Sequence, residues 1–300
     1  MKLTPFTLVK QLHQSRNWLL GIAVGLISLH LYLIWKISFH LDAESAAERN
    51  TGSELLSISF LFWGAAFSLA WQKRHSLKLD SDIFSRCLGA TIIVLVLLKS
   101  LFLSTDDSFL YIFPLLSALG LGLLASGVKG LKQYQREFIL LLVLALPIEY
   151  SIARLIDLAT LTAQFANFVL LHFGFEVGRH GTIVALPTGA VDVNQGCSGL
   201  RGMTRLLQLS VLILAMTPTH LTGKFILPVV AILIAFVVNA VRVAVLALLI
   251  ANSHRQAFEY WHEGTGSHAI SIVSVIVLWL LCQFLIRKED PEADVKAAIE

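Results

Sequence analysis

Eight apolar runs, each close to the length that crosses a lipid bilayer, leave this chain few folds to choose from. A span needs about 20 mostly apolar residues to cross a hydrocarbon core of ~30 Å, where every backbone amide must find a partner inside the protein. The runs are Trp18–Trp35, Leu55–Trp71, Cys87–Leu103, Phe109–Ser126, Phe138–Arg154, Leu200–Thr217, Phe225–Ile250 and His268–Ile286. Only 14% of the residues are charged, against roughly 25% in a soluble domain, and 56% are hydrophobic. The expected fold is therefore an all-α polytopic membrane protein of about eight transmembrane helices. Lys2, Lys10 and Arg16 precede the first run much as in a secretory signal. That run is longer than a signal core and no small-x-small cleavage site follows it directly, so it reads as a retained helix.

Loop charge orients the bundle. With the N-terminus inside, the cytoplasmic segments carry Lys2, Lys10 and Arg16, then Lys73, Arg74, Lys78 and Arg86, then Lys129, Lys132 and Arg136. Lys224 and the final group Arg287, Lys288 and Lys296 complete them. The positive-inside bias places both termini in the cytoplasm and matches an even number of spans. The expected location is the cell's inner (plasma) membrane, multi-pass. A net charge of +3 is explained by this bias, and nothing points to nucleic-acid binding. The three cysteines form no disulfide framework: Cys87 and Cys282 fall near cytoplasmic helix ends and read as small hydrophobes. Cys197 alone belongs to the outer face.

Two parts of the chain differ in kind. Residues 1–137 supply four spans with little that suggests chemistry, and read as a scaffold or docking surface. Residues 138–286 read as the catalytic core, and 287–300 as a polar cytoplasmic tail. Between Leu155 and Gly199, Arg154, Asp157, Thr160, Gln164 and Asn167 recur at helical spacing opposite Leu158, Leu161, Phe165, Phe168 and Leu171. That pattern predicts an interfacial amphipathic helix. Thr182–Leu186, a Pro187-Thr188-Gly189 turn and Ala190–Asn194 then read as a small extracytoplasmic β-hairpin, ending at Gly196-Cys197-Ser198-Gly199.

The thiol is the first chemical candidate. A cysteine attacks as thiolate, a form favoured by nearby cations and helix N-termini. Cys197 precedes the sixth span, Arg201 and Arg205 follow on one face, and Gly196 and Gly199 permit close backbone approach. A capping turn with a buried thiol would share these features. Arg242 lies eight residues before Ile250, about 12 Å below the outer end of its span at 1.5 Å per residue. An arginine at that depth is costly and faces a cavity, a ligand or a partner, for which Glu149 is one structural choice. Asn239 shares its face one turn earlier. Histidine is the natural acid–base group near neutral pH, and the outer face offers His180, His254, His262 and His268. Position does not choose among them. No cofactor is called for, since one outer cysteine without clustered histidines is a poor zinc site.

Taken together, Cys197-Ser198-Gly199, Asn239-Ala240-Val241-Arg242 and His262 resemble the signature of the exosortase/archaeosortase family, over roughly Phe138 to Ile286. The eight-span layout fits bacterial members, nearest in overall impression to the cyanobacterial branch. The resemblance implies a membrane transpeptidase acting on membrane-anchored proteins with a C-terminal sorting signal: a short motif such as Pro-Glu-Pro, a hydrophobic helix and a basic tail. It implies Cys197 as nucleophile, Arg242 as the oxyanion or substrate-carbonyl group and His262 as acid–base residue. Ser198, Gly199, Arg201, Asn239 and Glu263 would support them, Glu263 standing where many relatives carry aspartate. The partners would be those substrates, the lipid bilayer and an acceptor nucleophile of unknown identity. Two other classes use the same residues differently. One is a membrane acyl- or glycosyltransferase working through His262 or His268 with Asp192 or Glu263. The other is a transporter or assembly factor whose Arg242 binds an anion.

Overall fold

The computed structural model describes residues 5–40, 46–103, 109–217, 221–262 and 266–289. The chain parts into two compact units, Met1–Leu146 and Pro147–Glu300. Among the described residues seven stretches are long and apolar enough to cross a membrane, and a bent pair of helices makes eight if counted as one broken span. With one small sheet beside them, the protein is an all-α polytopic membrane protein.

The first unit holds α1 (Pro5–His40), α2 (Ala46–Gln72), α3 (Ile83–Ser100), α4 (Phe109–Gly130) and α5 (Gln135–Ala145). Helix α4 breaks at Gly127, whose φ of 66° and ψ of 178° no helix contains. The chain folds back there: the Phe138 ring reaches within 3.3 Å of the point where a Gly122 Cβ would stand. A continuous helix would hold these residues about 24 Å apart. His30, fully buried, accepts from Trp63 Nε1–H at Nδ1 (3.1 Å) and meets the Leu110 carbonyl through Nε2 (2.8 Å). Each ring nitrogen is thus satisfied, the condition for burying it without a large penalty. Just past α2, Lys73 pairs with Glu137 of α5 at 2.8 Å.

The expected single span Phe138–Arg154 is interrupted. Proline has no N–H to continue a helix and forces the residue before it out of helical geometry. Leu146 is accordingly extended (φ −73°, ψ 131°), α5 stops at Ala145, and α6 (Ile148–Leu155) starts after Pro147. Helix α7 (Leu158–His172) follows at a bend of 74°. Asp157 begins it, its carboxylate accepting from the Thr160 N–H (3.1 Å) and hydroxyl (2.6 Å). The face that α7 turns inward is a row of mostly small residues. Ala159, Thr162, Ala163, Ala166 and Leu170 are buried, while Leu161, Phe168 and Leu171 stay exposed. In lipid a large apolar side chain gains nothing by burial, whereas small ones let backbones approach.

The hairpin carries a third strand. β1 (Gly178–His180), β2 (Ile183–Leu186) and β3 (Gly189–Asp192) form an antiparallel sheet in that order, with Val184 opposite Val191. Alternation sends Val184, Val191 and Val193 inward and leaves Ile183 exposed. Helices α8 (Leu200–Met216), α9 (Leu221–Ala251), α10 (Arg255–His262) and α11 (Gly266–Glu289) complete the unit. The β2–β3 turn sits on the end of α9, where the Thr188 hydroxyl donates to the Ala251 carbonyl at 2.7 Å. At Gly189 an added Cβ would stand 2.9 Å from Ile250 Cγ2 and 3.1 Å from the Ala251 backbone. Gly189→Val should therefore lower the apparent melting temperature of the detergent-solubilised protein by an amount corresponding to about 1–3 kcal/mol of overpacking. Gly202→Ala, whose new carbon meets nothing within 4 Å, should not lower it.

Candidate active site

Cys197 is placed by a turn rather than by a helix. β3 ends at Asp192, Val193 packs inward, and Asn194 starts a single 3₁₀ turn over Gln195–Cys197. The Cys197 N–H donates to both the side-chain oxygen (3.1 Å) and the carbonyl (3.0 Å) of Asn194. The Ser198 hydroxyl donates to the Gln195 carbonyl at 2.7 Å, and the Ser198 carbonyl accepts from Thr162 Oγ1 of α7 at 3.0 Å. Gly199 then takes a left-handed conformation (φ 81°) as the cap of α8. A Cβ there would be 2.6 Å from Asn239 Nδ2, so glycine serves both the dihedral and the close approach. α8 begins at Leu200, where the sixth span was expected to start, so the thiol stands just before its N-terminus.

The turn that follows α9 brings a histidine back to that thiol. Ser253, with φ of 59°, closes α9, and the His254 and Ser253 amides cap the Leu249 and Ile250 carbonyls at 2.9 and 3.0 Å. The chain reverses into α10, whose last residue is His262. Its Nε2 stands 2.8 Å from Cys197 Sγ. Phe258, one turn earlier on α10, stacks on the imidazole with ring centres 5.0 Å apart and planes within 14°. His180, His254 and His268, the other candidate histidines, are exposed. Cys197 itself is only 3% exposed, embedded among apolar residues of α7, the sheet and α9.

Arg242 and Asn239 tie the two ends together. Arg242 Nε donates to the Trp261 carbonyl (3.3 Å), Nη2 to the His262 carbonyl (2.6 Å) and Nη1 to Asn239 Oδ1 (3.2 Å). Asn239 Nδ2 in turn donates to the Cys197 carbonyl at 2.8 Å. The arginine thus satisfies carbonyls at the C-terminal end of α10, groups a helix leaves orphaned and where a cation is favoured. Its acceptors are these oxygens, not the Glu149 carboxylate.

The remaining sequence candidates divide. Ser198 and Gly199 belong to the thiol-bearing turn. Arg201 is exposed, and Arg205 Nη1 donates to Gln208 on its own helix at 3.0 Å. Glu263 lies outside the described residues. Asp192, a possible carboxylate partner for a histidine, accepts from the Thr182 hydroxyl at 2.6 Å. Thr162, Asn194, Phe258 and Trp261 shape the site without having been singled out as site residues in the sequence. Thr162 carried one hint, a hydroxyl on the same helical face as Ala159, Ala163 and Ala166, and Phe258 another, its four-residue spacing from His262. Among the described residues no group of three or more His, Cys, Asp and Glu is placed to hold a metal ion.

A polytopic membrane protein with a thiol–imidazole pair beside its sheet is the class that fold and geometry define. A model of the transmembrane exosortase family matches residues 48–279, well over half of the chain and all four of Cys197, Asn239, Arg242 and His262. The chain belongs to the transmembrane exosortase family, and is an enzyme of transpeptidase or protease type. No curated protein and no solved structure matches the chain.

The Gly199 geometry is testable by itself. Gly199→Ala should destabilise the solubilised protein by about 1–3 kcal/mol, since it adds left-handed strain to a contact below van der Waals distance. Thermal unfolding read against Gly202→Ala measures it.

Proposed function

We propose that this exosortase is a cysteine transpeptidase that cleaves C-terminal sorting signals through a thioester acyl-enzyme. The single observation that carries the reading is the 2.8 Å approach of His262 Nε2 to Cys197 Sγ, a nucleophile within reach of its base. The imidazole takes the thiol proton, and the thiolate attacks the carbonyl carbon of the scissile peptide bond. As the C–N bond breaks, His262 returns that proton to the leaving amine, and the acyl group remains on Sγ as a thioester. An acceptor amine or hydroxyl then attacks the thioester, gives its proton to His262, and restores the thiol. Water in that place gives plain hydrolysis.

Asn239 and Arg242 act in this reading as positioning residues, since their polar groups are engaged by the carbonyls of Cys197, Trp261 and His262. The charge of Arg242 also offsets the negative charge that develops at the thiolate and oxyanion. The substrates are membrane-anchored proteins whose tail carries a short motif such as Pro-Glu-Pro, a hydrophobic helix and a basic end. We place the enzyme in the inner (plasma) membrane, both termini cytoplasmic and the site extracytoplasmic, from loop charge. Residues 138–286 form the catalytic core, residues 1–137 a scaffold and 287–300 a tail.

The test is co-expression with a tagged substrate bearing such a tail, with the product weighed by mass spectrometry. Wild type should remove the tail, and Cys197→Ala should leave it intact. His262→Ala should slow removal by roughly 10²–10⁴-fold, the usual worth of a positioned acid–base group. Equal processing by wild type and Cys197→Ala would remove the thiol from the mechanism. Arg242→Lys keeps the charge but not the fork that reaches three acceptors. It should lower kcat on the order of 10–100-fold with little change in KM, as misplacement of a reacting group does.

A further inference from the structure

Beside the thiol-bearing turn lies a hollow of about 230 Å³, bounded by the corner between α6 and α7 on one side and by Gln195, Ser198 and Leu200 on the other. Gln195 and Ser198 belong to the turn that carries the nucleophile, so this hollow borders that turn, while Cys197 itself does not line it. It falls below the ~300–1,000 Å³ of a small-molecule site and suits a side chain or two. Two charged residues line it, Arg154 and Asp157. They are not equally available. The Asp157 carboxylate is committed to the amide and hydroxyl of Thr160, which it caps at 3.1 and 2.6 Å. Arg154 is exposed and stacks on Tyr150 of its own helix, 4.4 Å from the ring centre. Among the described residues no carboxylate pairs with it. The hollow therefore presents one committed anion and one cation whose N–H groups stay available to an incoming acceptor.

We propose that this hollow receives an acidic side chain of the peptide substrate next to the scissile bond, and that Arg154 reads its charge. The inference rests on the transpeptidase reading, from which it takes a peptide as the ligand. Arg154 does not touch the reacting atoms. It is a specificity residue, and a guanidinium suits the task because its fork meets a carboxylate through two parallel hydrogen bonds. The Tyr150 ring beneath it restricts its rotamers, which lowers the entropy lost when the pair forms.

Charge exchange in a form that cannot turn over tests this independently of catalysis. Two fluorescent tail peptides, identical but for Pro-Glu-Pro or Pro-Lys-Pro as motif, are titrated onto Cys197→Ala protein in nanodiscs. The Cys197→Ala protein should prefer the acidic peptide by roughly tenfold or more, as expected for opposite against like charge at a close pair. Adding Arg154→Glu should reverse the preference, and adding Arg154→Lys should retain its sign. A reversal cannot come from misfolding, because it requires a gain of affinity. Equal affinities for both peptides before any change at Arg154 would overturn the proposal, as would an unaltered preference in the Arg154→Glu form. Charge-swapped binding together with no cleavage by the enzyme with Cys197 intact would keep the pocket and overturn the transpeptidase reading instead.

Discussion

A closed ring of contacts holds the chemistry in place. Cys197 Sγ meets the His262 imidazole, the His262 carbonyl meets Arg242, Arg242 meets Asn239, and Asn239 returns to the Cys197 carbonyl. Three of the four links join different elements, Arg242 and Asn239 being neighbours on α9, and the ring fixes both the turn that carries the thiol and the helix end that carries the base. Its location explains why a membrane protein tolerates it. A guanidinium within an apolar span is costly unless its N–H groups find acceptors. A short helix ending nearby leaves carbonyls in equal need of donors. Each supplies what the other lacks.

The elements around the ring serve to bring those segments within reach. The sheet leans on the end of α9 through Thr188 and the bare Cα of Gly189. From that anchor the chain runs directly into the cysteine turn. Helix α7 lays its alanine face inward, near enough for the Thr162 hydroxyl to hold the Ser198 carbonyl. The left-handed residues Gly199 and Ser253 sit at the two places where the chain must reverse, one after the nucleophile and one before α10. Small residues and unusual dihedrals collect around the thiol, while bulky apolar side chains are left to face the surroundings.

Much of this was legible in the residues because lipid imposes simple rules. Apolar runs gave the helices, and the alternation of Thr182–Asn194 gave two of the three strands. Pro147 marked a break that a count of apolar residues alone passed over. The apolar row of α7 with Leu161, Phe168 and Leu171 was legible as one face of an amphipathic helix, whereas the alanine face that packs inward was not. The candidate site was readable as a set of residue types. Cys197, Asn239, Arg242 and His262 could be named, but their bonds could not, because two of the four links of the ring end on backbone carbonyls that no side-chain pattern displays. The choice of His262 over His180, His254 and His268 likewise needed either a family resemblance or the fold, since only the reversal at Ser253 decides which imidazole meets the thiol. The hold of Thr162 on the Ser198 carbonyl spans 36 residues and left only the faintest sign in its own helix.

The ring's central claim is that the imidazole and the arginine clamp together make Cys197 a reactive thiol. The most direct measurement is the alkylation rate of Cys197 at neutral pH, followed by peptide mass spectrometry in membranes with Cys87 and Cys282 as internal references. The account predicts that wild-type Cys197 reacts fastest of the three despite its burial. It also predicts that His262→Ala and Arg242→Ala each slow it by about tenfold or more, since the thiolate is the reactive form and both groups favour it. A Cys197 that reacts no faster than the other two, or at the same rate in all three proteins, would contradict it.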